Sequence, residues 1–583
     1  MHPHQLYLSL LLACMATFTY AIAGPIPIVS LEQLDPTLPP VLSGQNPTCS
    51  LVVLEQDFAD TVGSPPASAN YTEPRDCPFP WTRVVLELSI SASDLQKDRV
   101  AAVWIDGSEV LRTATPRPMA RGAFWRVHKD ITRYAALLRH LSGGGSGAIS
   151  MMLENSNDFF PGVFSANISL HFYRGALPTS PRHLAAGFAA HPTIEGLYHE
   201  PADLILPISN PNGYYRSGFW LRINNETHVE STSITIPKNT YRAVLEIFVS
   251  YHGDDEFWYT NPLHSAYLHQ PPSNLSVPRA NGAFRQVYAT IDGRFVGGHI
   301  PFAVIYPSTI NPYFWSPVAA IGAFDMPSYD LDLTPFLGFM LDGRPHDIGL
   351  GVRDAQPYWL VSANLHLWVD AWSDSVQAGL TEYIAPPIKM YRNAEWRDKD
   401  GESEIDAEGL LRFTGWVSSS KGNLTTQVRQ KIKLKSQVEI HNRGSTTQIE
   451  LQNKERMMVS IQKGHQPLGR VQLLMEAPLQ VQTSMVSAAG GAAFQKSRLY
   501  HQLMEMVTLS EGQAMTTSTL TDRQDAEGSA LTHDGEPVWG SGSTKSSYRY
   551  KDESTCYLRS VNTAGGVVMM DTKSASCLAV VDP

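Results

Sequence analysis

The stretch Tyr251-His252-Gly253-Asp254-Asp255-Glu256-Phe257-Trp258-Tyr259 sets three consecutive acids among aromatic residues, directly after the apolar run Val244–Ser250. Rings of this kind stack on the faces of sugars while carboxylates accept hydrogen bonds from hydroxyls, which makes Asp255 and Trp258 candidate substrate-binding residues. Apolar surroundings also raise a carboxyl pKa by desolvation and ready it for proton transfer, a role open to Glu256. The same acids would equally serve as a solvated surface loop or, by gathering hard oxygen ligands, as a calcium loop. Two further acids stand out by position. Asp98, in Lys97-Asp98-Arg99, begins the strand candidate that runs on to Ile105, and Glu154 ends the apolar run Met151-Met152-Leu153. Asp98 would sit at the rim of a sandwich, where loops gather; alone, either acid reads as an ordinary turn residue. G-x-S-x-G, H-E-x-x-H, P-loop and strand-to-helix G-x-G-x-x-G motifs are all missing, which leaves carboxylates to carry any chemistry.

The elements that must position these acids are strands. Arg83–Ile90, Ala101–Ile105 and Val244–Ser250 are rich in β-branched residues, and Asp106-Gly107, Asp292-Gly293 and Asp342-Gly343 supply turns. Helical periodicity is scarce, with Arg133 to Leu141 the best short candidate. The expected class is therefore all-β: two consecutive jelly-roll-like antiparallel β-sandwiches followed by a third β-rich domain. An internal repeat supports the pair. Ile105-Asp106-Gly107, Asp130-Ile131-Thr132-Arg133-Tyr134 and Asn167 to Phe172 recur in order as Ile291-Asp292-Gly293, Asp332-Leu333-Thr334-Pro335-Phe336 and Asn364 to Trp368. The expected units are 49–180, 200–375 and 385–583, after an extension over 24–48. Ser484 to Ala492 and Thr521 to Lys545 read as loops open to proteolytic nicking.

The whole chain of 583 residues is too long for one core. Its 45 basic residues against 56 acidic ones give a net charge of −11, with no basic run to hold nucleic acid. Leu6 to Ala21 is apolar and precedes Ala21-Ile22-Ala23, so 1–23 reads as a secretory signal and is short for a membrane span. Cys14 leaves with it. Of the other cysteines, local pairing of Cys49 with Cys77 and of Cys556 with Cys577 closes the shortest loops. Sequons at Asn70, Asn167, Asn225, Asn274 and Asn423 fit the same route, so the expected product is a secreted or vacuolar glycoprotein without a membrane anchor.

Several long motifs, in order, resemble one family. They are Trp81-Thr82-Arg83-Val84-Val85-Leu86, Asp98 to Trp104, Phe124 to Tyr134, Gly253 to Tyr259, Gly282-Ala283-Phe284-Arg285, Ile310-Asn311-Pro312 and Tyr358-Trp359-Leu360. Together they resemble the acidic plant and fungal peptide:N-glycosidase A family, densely over 49–375 and more loosely beyond. The resemblance implies hydrolysis of the amide between asparagine and the innermost N-acetylglucosamine of N-linked glycopeptides, with no metal or organic cofactor. A more distant likeness, to the bacterial peptide:N-glycosidase F family of paired jelly rolls, implies catalytic roles for Asp98, Glu154 and Glu256; Arg99, beside them, would bind substrate or keep a carboxylate ionised. The bacterial pattern departs at two places. Cysteines flanking its second-domain glutamate are absent around Glu256, and a tryptophan two positions after its first-domain glutamate is Ser156 here, which leaves room for a substituent such as core fucose. A lectin without catalysis and a two-carboxylate glycoside hydrolase are the competing expectations.

Overall fold

The computed structural model describes residues 30–41, 45–118, 120–142, 147–156, 160–175, 201–210, 218–263, 281–487, 490–511, 514–533 and 536–575. The proposed signal segment, Asn274 and Cys577 lie outside them. Among the described residues the strands form five sheets, antiparallel but for the pairing of Glu32–Gln33 with Phe124–Trp125.

The repeat seen in the sequence is a repeat of structure. In the first sandwich Ala123–Asp130, Arg83–Ala92, Phe164–Tyr173 and Cys49–Phe58 lie side by side, and Ala67–Asn70, Ala148–Leu153, Val100–Ile105 and Ser108–Ala114 form a second sheet. In the second sandwich the equivalents are Ser328–Asp332, Thr240–Tyr251, Trp359–Val369 and Leu204–Ile208, then Val229–Ile234, His346–Arg353, Gln286–Ile291 and Arg294–His299. The order is the same strand for strand. Its causes are local. A two-residue hairpin needs positive φ at both central positions, and Asp106 and Gly107 (50° and 79°) match Asp292 and Gly293 (49° and 79°). Likewise the Asp130 carboxylate accepts the Thr132 amide at 2.9 Å, as Asp332 accepts that of Thr334 at 2.9 Å, and each opens a 3-10 turn that runs into a short helix. The helix expected over 133–141 is found as Ala135–Ser142 after that turn. Inward side chains such as Leu86, Leu88, Val103 and Met151 join one buried cluster with Leu245, Ile247, Leu350 and Leu365. Each contributes about 1.5–3 kcal/mol by leaving water.

Two buried polar networks stitch the sandwiches together. Arg112 donates to Glu109 at 2.7 and 2.8 Å and reaches across to Ser250 Oγ at 3.1 Å and the Leu360 carbonyl at 2.6 Å. The Glu109 carboxylate also accepts from Trp220 and Ser362 of the second sandwich. In the other network the Tyr134 hydroxyl donates to Glu246 at 2.7 Å, which further meets Ser328 and His366. Buried ions this fully bonded fix one docking geometry, because any other leaves a charge unpaired.

The C-terminal part is one 11-stranded sheet with strands up to 22 residues long. Along Gly422–His441 buried and exposed residues alternate almost without break. The loop expected over Thr521 to Lys545 is corrected here: it is a hairpin of Ala514–His533 with Glu536–Lys551, paired from Thr519↔Lys551 to His533↔Glu536. Serine, threonine and glycine hide such strands from hydropathy patterns, since neighbouring strands satisfy the backbone whatever the side chains are. Cys49 and Cys77 form a disulfide, and Cys556 is disulfide-bonded. Among the described residues no helix is long and apolar enough to cross a membrane. Asn70, Asn225 and Asn423 are exposed, and Asn167 is half-buried.

Buried acids in this sheet set an expected pH response. Burial, with Asp35 nearby, pushes Asp522 up to about 8, and burial with Glu455 nearby pushes Glu505 up to about 7. The folded chain therefore keeps protons that the unfolded chain loses above about pH 4, so stability falls as pH rises towards 8. Burial holds His501 and His252 down to about 3, which refuses protons the unfolded chain accepts below 6.5 and costs stability as pH falls. These slopes oppose each other between about pH 4 and 6.5 and leave only the loss above it. Thermal unfolding should show a higher Tm at pH 5 than at pH 8, with a smaller gap in Asp522→Asn; equal Tm values at the two pH values would refute the account.

Candidate active site

Strand register brings two of the acids together. Ala101 pairs with Leu153, so the next antiparallel step outward sets Glu154 opposite Val100, beside Asp98-Arg99. At this hairpin end Arg99 and Thr115 tie the chain, through Arg99 N to Thr115 Oγ1 at 2.9 Å and Thr115 N to the Arg99 carbonyl at 2.8 Å. Asp98 is half-buried, and its carboxylate accepts the Ser308 hydroxyl. Desolvation raises its pKa despite the opposing pull of Ser308 and of the Arg117 charge. Glu154 accepts the Gly63 amide at 3.2 Å; desolvation raises it too, against Gly63, Arg99 and Arg222. The Arg99 charge is drawn to both carboxylates, and its buried Nε has no hydrogen-bond partner among the described residues. A desolvated donor beside two desolvated acids is poised for a polar ligand.

Glu256 arrives from the second sandwich. The strand Thr240–Tyr251 ends in the 3-10 turn Gly253–Asp255, whose next residue is Glu256. Gly253 has φ +57°, and a Cβ there would meet the Pro357 carbonyl at 2.9 Å, so this turn requires glycine. The half-buried Glu256 charge acts on Tyr358 and on Tyr306. Tyr358 also feels Glu154 and carries the Arg222 guanidinium 3.7 Å over its ring. Asp98 and Glu154 thus both act on the Arg99 charge, and Glu154 and Glu256, from different sandwiches, both act on Tyr358. His252 completes this wall: it stacks on Tyr358 at 5.2 Å and bonds Ser250 Oγ at 2.9 Å, and burial keeps it neutral.

Two expected sugar contacts are elsewhere. Asp255 is fully buried; Arg285 grips both its oxygens at 2.7 and 2.5 Å, and Gln356 N and Trp359 Nε1 donate at 2.8 and 2.6 Å. Trp258 is also fully buried, against Tyr251, Tyr259 and Trp359. Neither faces a substrate; both hold the turn that presents Glu256. A carboxylate spent on a guanidinium is unavailable to calcium, and among the described residues no group of three or more His, Cys, Asp or Glu is gathered for a metal. Ser156 lies half-buried just beyond Glu154, its carbonyl 3.4 Å from Gln96 Nε2. Sequence reasoning missed Ser308, Arg117, Arg222 and Tyr306. Ile310-Asn311-Pro312 and Tyr358-Trp359-Leu360 were flags for two neighbouring segments, whereas nothing in the sequence marked Arg222.

Residues 36–386 match the model of the family described as peptide N-acetyl-beta-D-glucosaminyl asparaginase amidase A. The chain belongs to that family. It is 34% identical over 539 residues to the peptide-N4-(N-acetyl-beta-glucosaminyl)asparagine amidase A of Prunus dulcis, covering 91% of this chain and 90% of that one. The amidase A family match spans both sandwiches and every acid of the site, while the almond relative extends it into the C-terminal sheet. Among solved structures, recombinant peptide:N-glycanase F is similar at 12% identity and TM-score 0.33, over 55% of this chain and 96% of its own. A structure of PNGF-II is similar at 12% identity and TM-score 0.34, over 55% and 66%.

Proposed function

We propose that this amidase A family member hydrolyses the amide joining asparagine to the innermost N-acetylglucosamine of N-linked glycopeptides. The observation that carries the reading is that acids from two sandwiches, Asp98 and Glu154 beside Arg99 and Glu154 and Glu256 beside Tyr358, feel one another's surroundings in a member of a family bearing that name. An amide resists hydrolysis because its carbonyl is a weak electrophile and its nitrogen a poor leaving group. Water must lose a proton as it adds to the carbonyl carbon of the asparagine side chain, and nitrogen must gain one as the C–N bond breaks. Positioned carboxyls can contribute on the order of 10²–10⁴-fold each to such proton transfers. Asp98 acts at the scissile linkage, Glu256 holds the water, and Glu154 fixes Asp98 or the sugar. Arg99 offers its unpartnered N–H to the substrate. The products are an aspartate-containing peptide and a glycosylamine, which then loses ammonia to water.

A mass spectrum of a treated glycopeptide tests the reading. Amide hydrolysis removes the whole glycan and converts Asn to Asp, a gain of about one dalton, as an acyl hydrolysis of this class requires. Peptide that keeps one N-acetylglucosamine would point to a glycoside hydrolase, and unchanged peptide to a lectin; either refutes the reading. The disulfide Cys49–Cys77 supports folding in an oxidising compartment, and secretion or the vacuolar lumen is the location we propose. A nick within Ser484 to Ala492 would leave two pieces joined by the pairing of Gln466–Ser487 with Ala492–Glu511.

Ser156, smaller than the tryptophan of the bacterial pattern, leaves space for core fucose on the innermost sugar. Ser156→Trp should lower kcat/KM on core-fucosylated glycopeptides by about tenfold or more, as a steric clash at a specificity pocket does, and spare unfucosylated ones. Full activity on both substrates would count against that role.

A further inference from the structure

The segment 300–327, between the strands Arg294–His299 and Ser328–Asp332, reaches acids of both sandwiches. Its Ser308 hydroxyl bonds Asp98, and its Tyr306 lies within reach of the Glu256 charge and stacks on Tyr251 at 5.1 Å. Beyond a parallel bridge of Val318 with Leu34, the segment pairs with no strand among the described residues, so its other carbonyls need other partners. The C-terminal sheet supplies them. Asn453 Nδ2 donates to the Ile300 carbonyl at 3.2 Å, Gln495 Nε2 to that of Ile310 at 2.6 Å, Thr544 Oγ1 to that of Phe314 at 2.6 Å and Gln524 Nε2 to that of Ala319 at 2.7 Å. Asn453, Gln524 and Thr544 are buried polar residues, and Gln495 is half-buried.

Two further features show a tight grip. Gly540 and Gly542 face Tyr313, and any Cβ there would collide with its ring and its carbonyl; a Cβ at Gly528 would come within 3.2 Å of Asn311 Nδ2. Ile310 has φ 58°, a left-handed conformation that a β-branched residue adopts at a cost of about 1–3 kcal/mol and keeps only where its surroundings enforce it. The Gln495 bond falls on that residue's carbonyl, two positions from Ser308.

We infer that the C-terminal sheet is a positioning element for the amidase site, holding segment 300–327 so that Ser308 and Tyr306 fix the Asp98 and Glu256 ends, with Gln495 as the positioning residue for Ser308. The inference rests on the amidase reading above. It gives the sheet a part in the reaction through segment 300–327. Asp98 faces Ser308 and Arg117, with Arg99 and, through it, Glu154 alongside. The Ser308 bond favours the ionised carboxylate, so losing it moves Asp98 further up in pH.

The test compares Ser308→Ala, Gln495→Leu, the double variant and Asp98→Asn in the full chain, using glycan release followed by mass spectrometry across pH. Ser308→Ala should move the Asp98-governed limb of the kcat profile up by about one pH unit, the scale of a hydrogen bond to a charged group. Gln495→Leu should shift the same limb the same way and lower kcat several-fold with KM within twofold, as misplacement of a reacting group does. The double variant should shift no further than Ser308→Ala, and hydrogen exchange in Gln495→Leu should quicken over 303–314 while the sandwich strands keep wild-type protection. Thr544→Val, which frees the Phe314 carbonyl, provides the same readout if Gln495→Leu folds poorly. A wild-type pH profile and kcat in both sheet variants, with Asp98→Asn inactive, overturns the inference. Turnover retained in Asp98→Asn overturns instead the amidase assignment beneath it.

Discussion

Asp98→Asn should lose on the order of 10³-fold or more in kcat, the share of a positioned acid–base group, while its Tm stays level or rises. The two halves of the expectation come from one cause. Asp98 is half-buried where desolvation already disfavours its charge, and Ser308, local amides and the Arg117 and Arg99 charges offset only part of that penalty. An isosteric amide removes the charge without opening a cavity, so the fold loses nothing and the proton transfer loses its agent. Ser308 can still donate to the Asn oxygen, which keeps the side chain in place. Glu154→Gln should fall less, because it supports the reacting group from beside Arg99. Kinetics on a glycopeptide, with thermal unfolding of the same samples, checks both halves. Near-normal turnover in Asp98→Asn would remove the central acid from the scheme.

What the sequence revealed was what short-range chemistry dictates. Asp106-Gly107 and Asp292-Gly293 specify their turns, and Asp130 and Asp332 cap their 3-10 turns two residues on, so the duplicated sandwich was legible from local signals. Asp98 and Glu154 were legible as rim acids because each adjoins a strand, and the pairing Ala101↔Leu153 makes neighbours of them. Within Asp254-Asp255-Glu256 the sequence could not say which acid turns inward. That depends on Arg285, thirty residues on, and on the Trp359 indole, so the buried partner was mistaken for a sugar contact. Ser308 was invisible for the same reason, since its partner Asp98 is 210 positions away. The strands over Thr521 to Lys545 were missed because polar side chains carry no burial signal there.

The clamp on Asp255 gives the largest stability effect expected of a single change. Arg285→Leu leaves a fully buried carboxylate without its cation, and breaking such a pair costs about 3–5 kcal/mol. The Gln356 amide and the Trp359 indole still donate to Asp255, so the loss should lie towards the lower figure and the chain should still fold. Asp255→Asn should also destabilise by a similar amount, by stranding the Arg285 guanidinium, which otherwise spends its remaining donors on the Gly282 and Phe284 carbonyls. Combining Arg285→Leu with Asp255→Asn removes both charges, so the pair should be less damaging than the sum of the single changes, the mark of direct coupling. Activity separates this clamp from a merely stabilising one. Asp255 is the residue before Glu256, and relaxing it moves the acid assigned to the water while Asp98 and Glu154 stay on the other sandwich. Arg285→Leu at a temperature where it is fully folded should therefore lower kcat by about ten- to a hundredfold, as a displacement of about 1 Å at a reacting group does. A folded variant with wild-type kcat would mean that Glu256 needs no such anchoring, and would detach the second sandwich from the chemistry.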